Sequence, residues 1–173
     1  MRHLISGAAI VALMPLAAMA EQHTAMQPVT ADIVGADGAS IGSIEIMPTA
    51  SGMNHLTIQA EGVEPGVHGI HLHETGTCEG DFSSAGGHIA GDAQHGVHVE
   101  GGPHPGDLPN AHVGEDGMLA VEVFSDAFDI EEHLMDDDGS AFIIHSGPDD
   151  YESQPSGDSG SRVGCAVLAP ASS

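Results

Sequence analysis

The chain has 173 residues, of which 26 are Asp or Glu and only two are Lys or Arg, so its formal net charge is −24. A chain of this length is expected to form one domain. Nucleic acid and anionic membrane surfaces are excluded as partners, because both bind to basic patches that this composition cannot supply.

The first twenty residues have the pattern of a secretory signal peptide. Arg2 supplies the positive end, residues 8–16 are apolar, and Ala18-Met19-Ala20 has the small-x-small form of a cleavage site. The apolar stretch is too short to span a bilayer. We predict cleavage after Ala20, a polar flexible tail at 21–28, and an exported mature protein that no longer contacts the membrane.

The rest of the chain is typical of an antiparallel β-protein. Short runs of alternating apolar residues are separated by Gly, Pro, Asp and Asn, and only 127–135 could form a turn or two of helix. We therefore expect an all-β sandwich or barrel of about eight strands over residues 29–173. The predicted strands are Val29–Val34, Ile41–Met47, Met53–Ala60, Val67–Glu74, Met118–Phe124, Ala141–His145 and Val163–Leu168.

Two long segments have no strand pattern, namely 75–110, which is rich in Gly and His, and 147–160. Long irregular loops in a compact domain are usually functional. We expect both loops to carry part of a site.

Histidines are concentrated in one part of the chain: eight of the thirteen lie between His68 and His112. His71 and His73 are two residues apart in a predicted strand, so their side chains face the same side and can bind one metal. Further candidate ligands follow, and together they indicate a two-metal site: His88, His95, His104, Asp107 and His145.

The chain has two cysteines, Cys78 and Cys165, and in an exported protein they are expected to form a disulfide. Two separate buried thiols or a pair of metal ligands are the alternative. After cleavage, Arg162 is the only Lys or Arg left. It could be a simple salt-bridge partner, but its position close to Cys165 favours a placed functional group.

Several segments together resemble the signature of the copper,zinc superoxide dismutase family, in its bacterial periplasmic form, over residues 29–169. They are Gly66–Glu74, Ser84–His88, His95-Gly96, Gly102–Leu108, Ile143–His145, Asp149-Asp150 and Gly160–Cys165. The resemblance implies a Greek-key antiparallel β-barrel with two long functional loops, one copper ion and one zinc ion.

The same resemblance implies a role for each candidate residue. Copper would be bound by His71, His73, His88 and His145, and zinc by His88, His95, His104 and Asp107. His88 would bridge the metals and deliver protons, while Arg162 would guide superoxide to copper. Asp149 would orient ligands of both metals, His68 would bond to backbone, and a Cys78–Cys165 disulfide would tie the first long loop to the last strand.

The sequence departs from the family pattern at three places. The interval from His88 to His95 is one residue shorter than expected, and Ile89-Ala90 replaces an Asn-Pro-like continuation. His98 is therefore an alternative zinc ligand, although we prefer His95 because Gly96 follows it and its distance to His104 is kept. The segment 147–160 has no lysine, which argues against strong electrostatic steering.

The implied activity is dismutation of superoxide to oxygen and hydrogen peroxide, which would protect the cell envelope. A non-catalytic copper- or zinc-binding module on the same fold is the alternative; Arg162 and Asp149 favour the enzyme, because storage needs neither. A homodimer is an alternative to the monomer. The N-terminal tail is a candidate copper donor, because His23 would be the third residue after cleavage.

Overall fold

The computed structural model describes residues 27–171, so the expected signal peptide and most of the expected tail lie outside the described residues. The strands are β1 Val29–Gly35, β2 Ser40–Pro48, β3 Asn54–Ala60, β4 Gly66–His68, β5 Ile70–His73, β6 Ala111–Val113, β7 Leu119–Ser125, β8 Ser140–His145 and β9 Arg162–Ala169. Two short helices complete the fold: a 3-10 turn at Ser83–Ala85 and helix α1 at Ile130–His133.

All nine strands belong to one antiparallel sheet with the order β4-β6-β7-β3-β2-β1-β9-β8-β5. The two outermost strands, β4 and β5, are consecutive in the chain and only Gly69 separates them. The sheet therefore curls into a nearly closed barrel. The chain leaves β3 for β4, which lies beyond β7 and β6, and this skipped connection is the Greek-key feature. The predicted all-β class is confirmed.

The barrel core follows from the alternation of apolar residues along the strands. Ile44 pairs with Ile58, and Ile46 pairs with Leu56, with all four side chains essentially inaccessible to solvent. Because neighbouring residues in a strand face opposite sides, Glu45, which lies between the two isoleucines, faces outward. Burial of this apolar face is the main driving force for closing the barrel.

The predicted strand Val67–Glu74 is broken at Gly69, because two elements approach its backbone closely. Gly69 N donates to Gly147 O at 2.8 Å, and Gly69 O accepts from His145 N at 2.9 Å. A Cβ atom on Gly69 would lie 3.0 Å from the Cβ of Ser159. Counting β4 and β5 as one bent strand gives eight strands; the unpredicted β6 is only three residues long, too short to show alternation.

The two long loops both leave the barrel next to β5. We call residues 74–110, between β5 and β6, the first long loop, and residues 146–161, between β8 and β9, the second long loop. The predicted disulfide is present: Cys78 of the first loop is bonded to Cys165 of β9. Phe82 and Ala85 pack beside it in a small second core with Ile143. This second core fixes the start of the first loop against the barrel wall.

Within residues 27–171, no helix is both long enough and apolar enough to cross a bilayer.

Candidate metal centre

Four histidines from three parts of the fold form a buried cluster. His71 and His73 come from β5, His145 ends β8, and His88 comes from the first long loop. One ring nitrogen of each lies within 4.8 Å of the others, and none of the four residues is more than 5% exposed. We call this cluster the four-histidine group. The predicted alternation on β5 is what directs His71 and His73 to the same side, while Leu72 faces the core.

Each ring of the four-histidine group has one nitrogen held by the protein and one without a partner. His73 Nδ1 is 3.1 Å from Gly86 O, and His71 Nε2 is 2.8 Å from a carboxylate oxygen of Asp149. A nitrogen facing such an oxygen must carry the hydrogen, which leaves a lone pair on the other nitrogen. The buried nitrogens without a partner are His71 Nδ1, His73 Nε2, His88 Nε2 and His145 Nε2.

Burial also keeps three of these rings neutral. Desolvation lowers the pKa of His71 to about 4, that of His145 to about 3 and that of His73 to about 2. Metal ligation requires the neutral imidazole, so these three residues are in their binding form throughout the neutral pH range. Four converging imidazole lone pairs fit copper, for which nitrogen ligands are suitable.

The second cluster is built around the carboxylate of Asp107, with His88 shared between the two clusters. Asp107 Oδ1 lies 2.9 Å from His88 Nδ1, 3.0 Å from His95 Nδ1 and 3.3 Å from His104 Nδ1. We call these four residues the histidine–aspartate group. A tetrahedral zinc site with bonds of about 2.0 Å has ligand atoms about 3.3 Å apart, so the separations from Asp107 fit this ion.

Hydrogen bonds fix the Asp107 carboxylate in its ionised form. Burial alone would raise the pKa of Asp107, but hydrogen bonds from His88 and from the backbone N–H groups of Gly96 and His104 hold it well below its usual range. The two backbone groups donate to Oδ2 at 2.9 and 3.0 Å, which leaves Oδ1 facing the three imidazoles. The donor set is therefore three imidazoles and one carboxylate, as in a closed structural zinc site.

Asp149 joins the two groups through its fully buried side chain. Its Oδ2 is 2.8 Å from His71 Nε2, and its Oδ1 is 3.0 Å from His95 Nε2. Burial opposes ionisation, yet the hydrogen bonds from these two rings lower the pKa of Asp149 to about 2. Gly157 has no side chain where one would intrude, since a Cβ there would lie 1.9 Å from Asp149 Oδ1.

Arg162 lies at the start of β9 beside the four-histidine group. Its guanidinium donates to Phe82 O, and to Gly86 O at 2.6 Å, so two carbonyls of the first long loop fix its orientation. It lines a cavity of about 190 Å³ together with three of the four histidines and part of the second long loop. The other lining residues are His73, Gly87, His88, His145, Pro155, Ser156 and Gly160.

His68 is bonded to backbone, as its resemblance implied. Its Nδ1 is 2.7 Å from His145 O, and its Nε2 is 2.8 Å from Glu64 O. The ring thus links the end of β8 to the turn before β4. His98, the alternative to His95, is exposed with its ring nearly perpendicular to that of Tyr151, and it belongs to neither group.

Two side-chain amides near the site could not be recognised from the sequence. Asn110 accepts from Asp149 N and donates to Asp149 O, both at 2.8 Å. Gln154 accepts from His95 N and donates to His95 O, both at 2.9 Å. Each amide belongs to one long loop and holds the backbone of the other. Neither has a sequence signal, because an amide in an irregular loop is ordinary.

Comparison with known proteins agrees with this architecture. The family model described as "Copper/zinc superoxide dismutase (SODC)" matches residues 40–168. A superoxide dismutase [Cu-Zn] of Aquifex aeolicus is 37% identical over 145 residues, which cover 80% of this chain and 85% of the relative. The enzyme of the same name from Caulobacter vibrioides is 35% identical over 147 residues, covering 80% and 84%.

Solved structures of this fold are also similar. A superoxide dismutase-like protein from Bacillus subtilis superposes with a TM-score of 0.77 at 37% identity, covering 81% of this chain and 97% of that one. The Cu/Zn superoxide dismutase of Brucella abortus superposes with a TM-score of 0.68 at 27% identity, covering 82% and 99%. From the family match and the relatives' identity, the chain belongs to the copper/zinc superoxide dismutase family.

Proposed function

We propose that this protein is a copper- and zinc-dependent superoxide dismutase, in which two superoxide anions and two protons become oxygen and hydrogen peroxide. The observation that carries the proposal is the orientation of the four-histidine group. Its four nitrogens without a partner converge, and three of the rings and Arg162 line one cavity. A small anion can therefore approach the donor cluster beside a fixed positive charge.

The two bound metals would have different roles. Copper, held by the four-histidine group, would supply the redox chemistry by taking an electron from one superoxide and giving it to the next. Zinc, held by the histidine–aspartate group, would have a structural role, since its donor set has no open position. His88 would be the bridging residue, because its Nε2 belongs to the first set and its Nδ1 to the second.

The protein's own residues bind the anion and supply a proton. The guanidinium of Arg162 is held in place by hydrogen bonds to two carbonyls of the first long loop, and its charge attracts the anion into the cavity. His88 also lines this cavity, and we propose that its Nε2, when it is not a copper ligand, takes up one proton from solvent and delivers it to the peroxide; the second proton of hydrogen peroxide comes from solvent. Asp149 keeps the His71 and His95 rings oriented during these steps.

The second candidate is a non-catalytic metal-binding module on the same fold. Such a module would need the two ligand groups but no cation beside a cavity. The placement of Arg162 therefore favours the enzyme. The direct test is superoxide consumption by stopped-flow or pulse radiolysis after loading the protein with both metals. Consumption no faster than that by the metal-free protein, at full metal occupancy, would establish the binding module instead.

We also propose that the protein works in the periplasm, where it would protect the cell envelope, with residues 1–20 as signal peptide, 21–28 as tail and 29–173 as the enzymatic domain. The Cys78–Cys165 disulfide supports export, because disulfides persist in oxidising compartments. Mass spectrometry of the periplasmic fraction tests the expected cut after Ala20.

Two further proposals concern assembly and copper supply. If cleavage follows Ala20, His23 becomes the third residue, and the free amine, two backbone amides and this imidazole could bind Cu(II). Comparing Cu(II) stoichiometry in wild type and His23→Ala tests this auxiliary site. Sedimentation of the mature protein decides between monomer and homodimer.

A further inference from the structure

Gln154 forms a two-point hydrogen bond with a residue of the other long loop. Its Oε1 accepts from His95 N at 2.9 Å, and its Nε2 donates to His95 O at 2.9 Å. The second hydrogen on Nε2 goes to Glu152 O at 3.1 Å. The amide oxygen thus faces a donor and the amide nitrogen faces two acceptors, so only one orientation of this side chain satisfies the contacts.

The residue that Gln154 holds is central to the histidine–aspartate group. His95 is fully buried, with Nδ1 at 3.0 Å from Asp107 and Nε2 at 3.0 Å from Asp149. The side chain of His95 is therefore fixed at both nitrogens, while Gln154 fixes its backbone at both the N–H and the C=O. The adjacent Gly96 also packs tightly on the second long loop, because a Cβ there would lie 1.9 Å from Tyr151 O.

Gln154 is at the same time next in the chain to the rim of the cavity. Pro155 and Ser156 line it together with His73, His145 and Arg162 from other elements. Any displacement of residue 154 is passed along the backbone to this rim. The position of the rim is thus tied to the backbone of His95, which is held on the zinc side.

We propose that Gln154 is a positioning residue that couples the rim of the anion cavity to the histidine–aspartate group. Its amide has two effects. It slows the release of zinc by holding His95, and it keeps Pro155 and Ser156 in place for anion entry. The inference rests on the proposed zinc-binding role of His95 and adds to it a specific link with access to copper.

The test compares two variants at this position with a matched control in the full-length metal-loaded protein. Gln154→Glu has the same shape but places a carboxylate oxygen against two carbonyl oxygens, whereas Gln154→Ala removes every contact. The control is Gln94→Ala, an exposed glutamine next to His95 whose side chain makes no hydrogen bond within residues 27–171. Zinc transfer to a chromophoric chelator gives the release rate, and azide titration of the copper absorption gives anion affinity.

We expect zinc release to be about tenfold faster in both Gln154 variants, as for the loss of an outer partner of a metal ligand. Azide affinity should fall about threefold in the same variants, corresponding to the loss of an ordinary hydrogen bond, and the control should stay at wild-type values. A cobalt-substituted zinc site gives a spectrum that reports on His95 even in a variant of low activity, and it should change in Gln154→Glu.

Wild-type zinc release and azide affinity in Gln154→Glu would overturn the coupling while leaving the proposed dismutase intact. Equal changes in Gln94→Ala would also overturn it, because they would show that zinc release and azide affinity respond to any substitution near His95. Failure of the wild type to bind zinc at all would remove both the coupling and the proposed function.

Discussion

His95 Nε2 and Asp149 Oδ1 lie 3.0 Å apart, and neither side chain is accessible to solvent. This contact joins the first long loop, which supplies His95, to the second, which supplies Asp149. Because the other oxygen of Asp149 contacts His71, one buried carboxylate links both ligand groups. The order of each ligand group can therefore affect the order of the other through Asp149.

Replacing Asp149 with asparagine should weaken zinc binding more than it weakens the fold. The amide nitrogen of Asn cannot accept a hydrogen bond, so at least one of the two imidazoles loses its partner. We expect a 10–100-fold loss of zinc affinity, the usual effect of removing an outer partner of a ligand. Competition with a chelator of known affinity measures it. The control is Asp150→Asn, which changes the adjacent exposed carboxylate, and an equal loss there would contradict the assignment.

The zinc ligand can be identified by comparing His95→Ala with His98→Ala. His95 Nδ1 lies 3.0 Å from Asp107, whereas His98 is exposed and outside both groups. We expect one zinc ion per chain in His98→Ala and loss of zinc from His95→Ala, measured by elemental analysis. Zinc removal should also lower the melting temperature, because a ligand that binds only the folded state stabilises it. Loss of zinc in His98→Ala alone would reverse the assignment.

The metal-free protein should lose stability as the pH falls below about 6.5. His71 has a folded pKa of about 4 and His145 one of about 3, both below the unfolded value, so over this range the unfolded chain binds more protons. Each such histidine contributes a slope of at most about 1.4 kcal/mol per pH unit, with stability greater at higher pH. Asp149, with a folded pKa of about 2, adds the same trend only below about 4.

The trend is checked by urea unfolding of the metal-free protein at pH values of about 7, 6 and 5. These values bracket the pKa of histidine in the unfolded chain. A free energy of unfolding that stays constant from neutral pH to pH ~5 would show that these rings take up protons as readily in the folded state as in the unfolded chain.

Part of this site follows from the sequence because it depends on local periodicity. The alternation of Ile70, His71, Leu72 and His73 is enough to place both imidazoles on one side of a strand. The break at Gly69 is not predictable in this way, because it depends on β8 and the second long loop approaching from elsewhere in the fold. The contacts of Asn110 and Gln154 depend on how two irregular loops meet, and no sequence pattern describes that.

Replacing Arg162 with glutamine should lower the rate of superoxide consumption about tenfold, because a fixed charge near a reacting anion raises its local concentration by a factor in the range 10–10³. Glutamine is uncharged and shorter than arginine, so the change removes the positive charge together with the hydrogen bonds of the guanidinium. The control is Asp32→Asn, which neutralises an exposed carboxylate on β1 and should change the rate little. An unchanged rate in Arg162→Gln at full metal occupancy would exclude Arg162 from anion attraction.

Ionic strength should affect this enzyme differently from one that attracts its substrate over long distances. The substrate is an anion, and the mature chain would carry 26 acidic residues against Arg162 alone, so the distant field is repulsive. Salt screens charges separated by more than about 8–10 Å at physiological strength, whereas the contact of the anion with Arg162 is short. Added salt therefore weakens the repulsion before it weakens the local attraction.

The rate of superoxide consumption should thus rise or stay constant as salt increases from low concentration. The measurement is the second-order rate constant at several concentrations of a salt whose anion does not bind copper. The same series for Arg162→Gln is the internal comparison: without the local cation, salt relieves only repulsion, so its relative rise should be at least as large as in the wild type. A steep fall of the wild-type rate between low and physiological salt is the behaviour of attractive steering, and it would show that the field of the cavity outweighs the acidic surface.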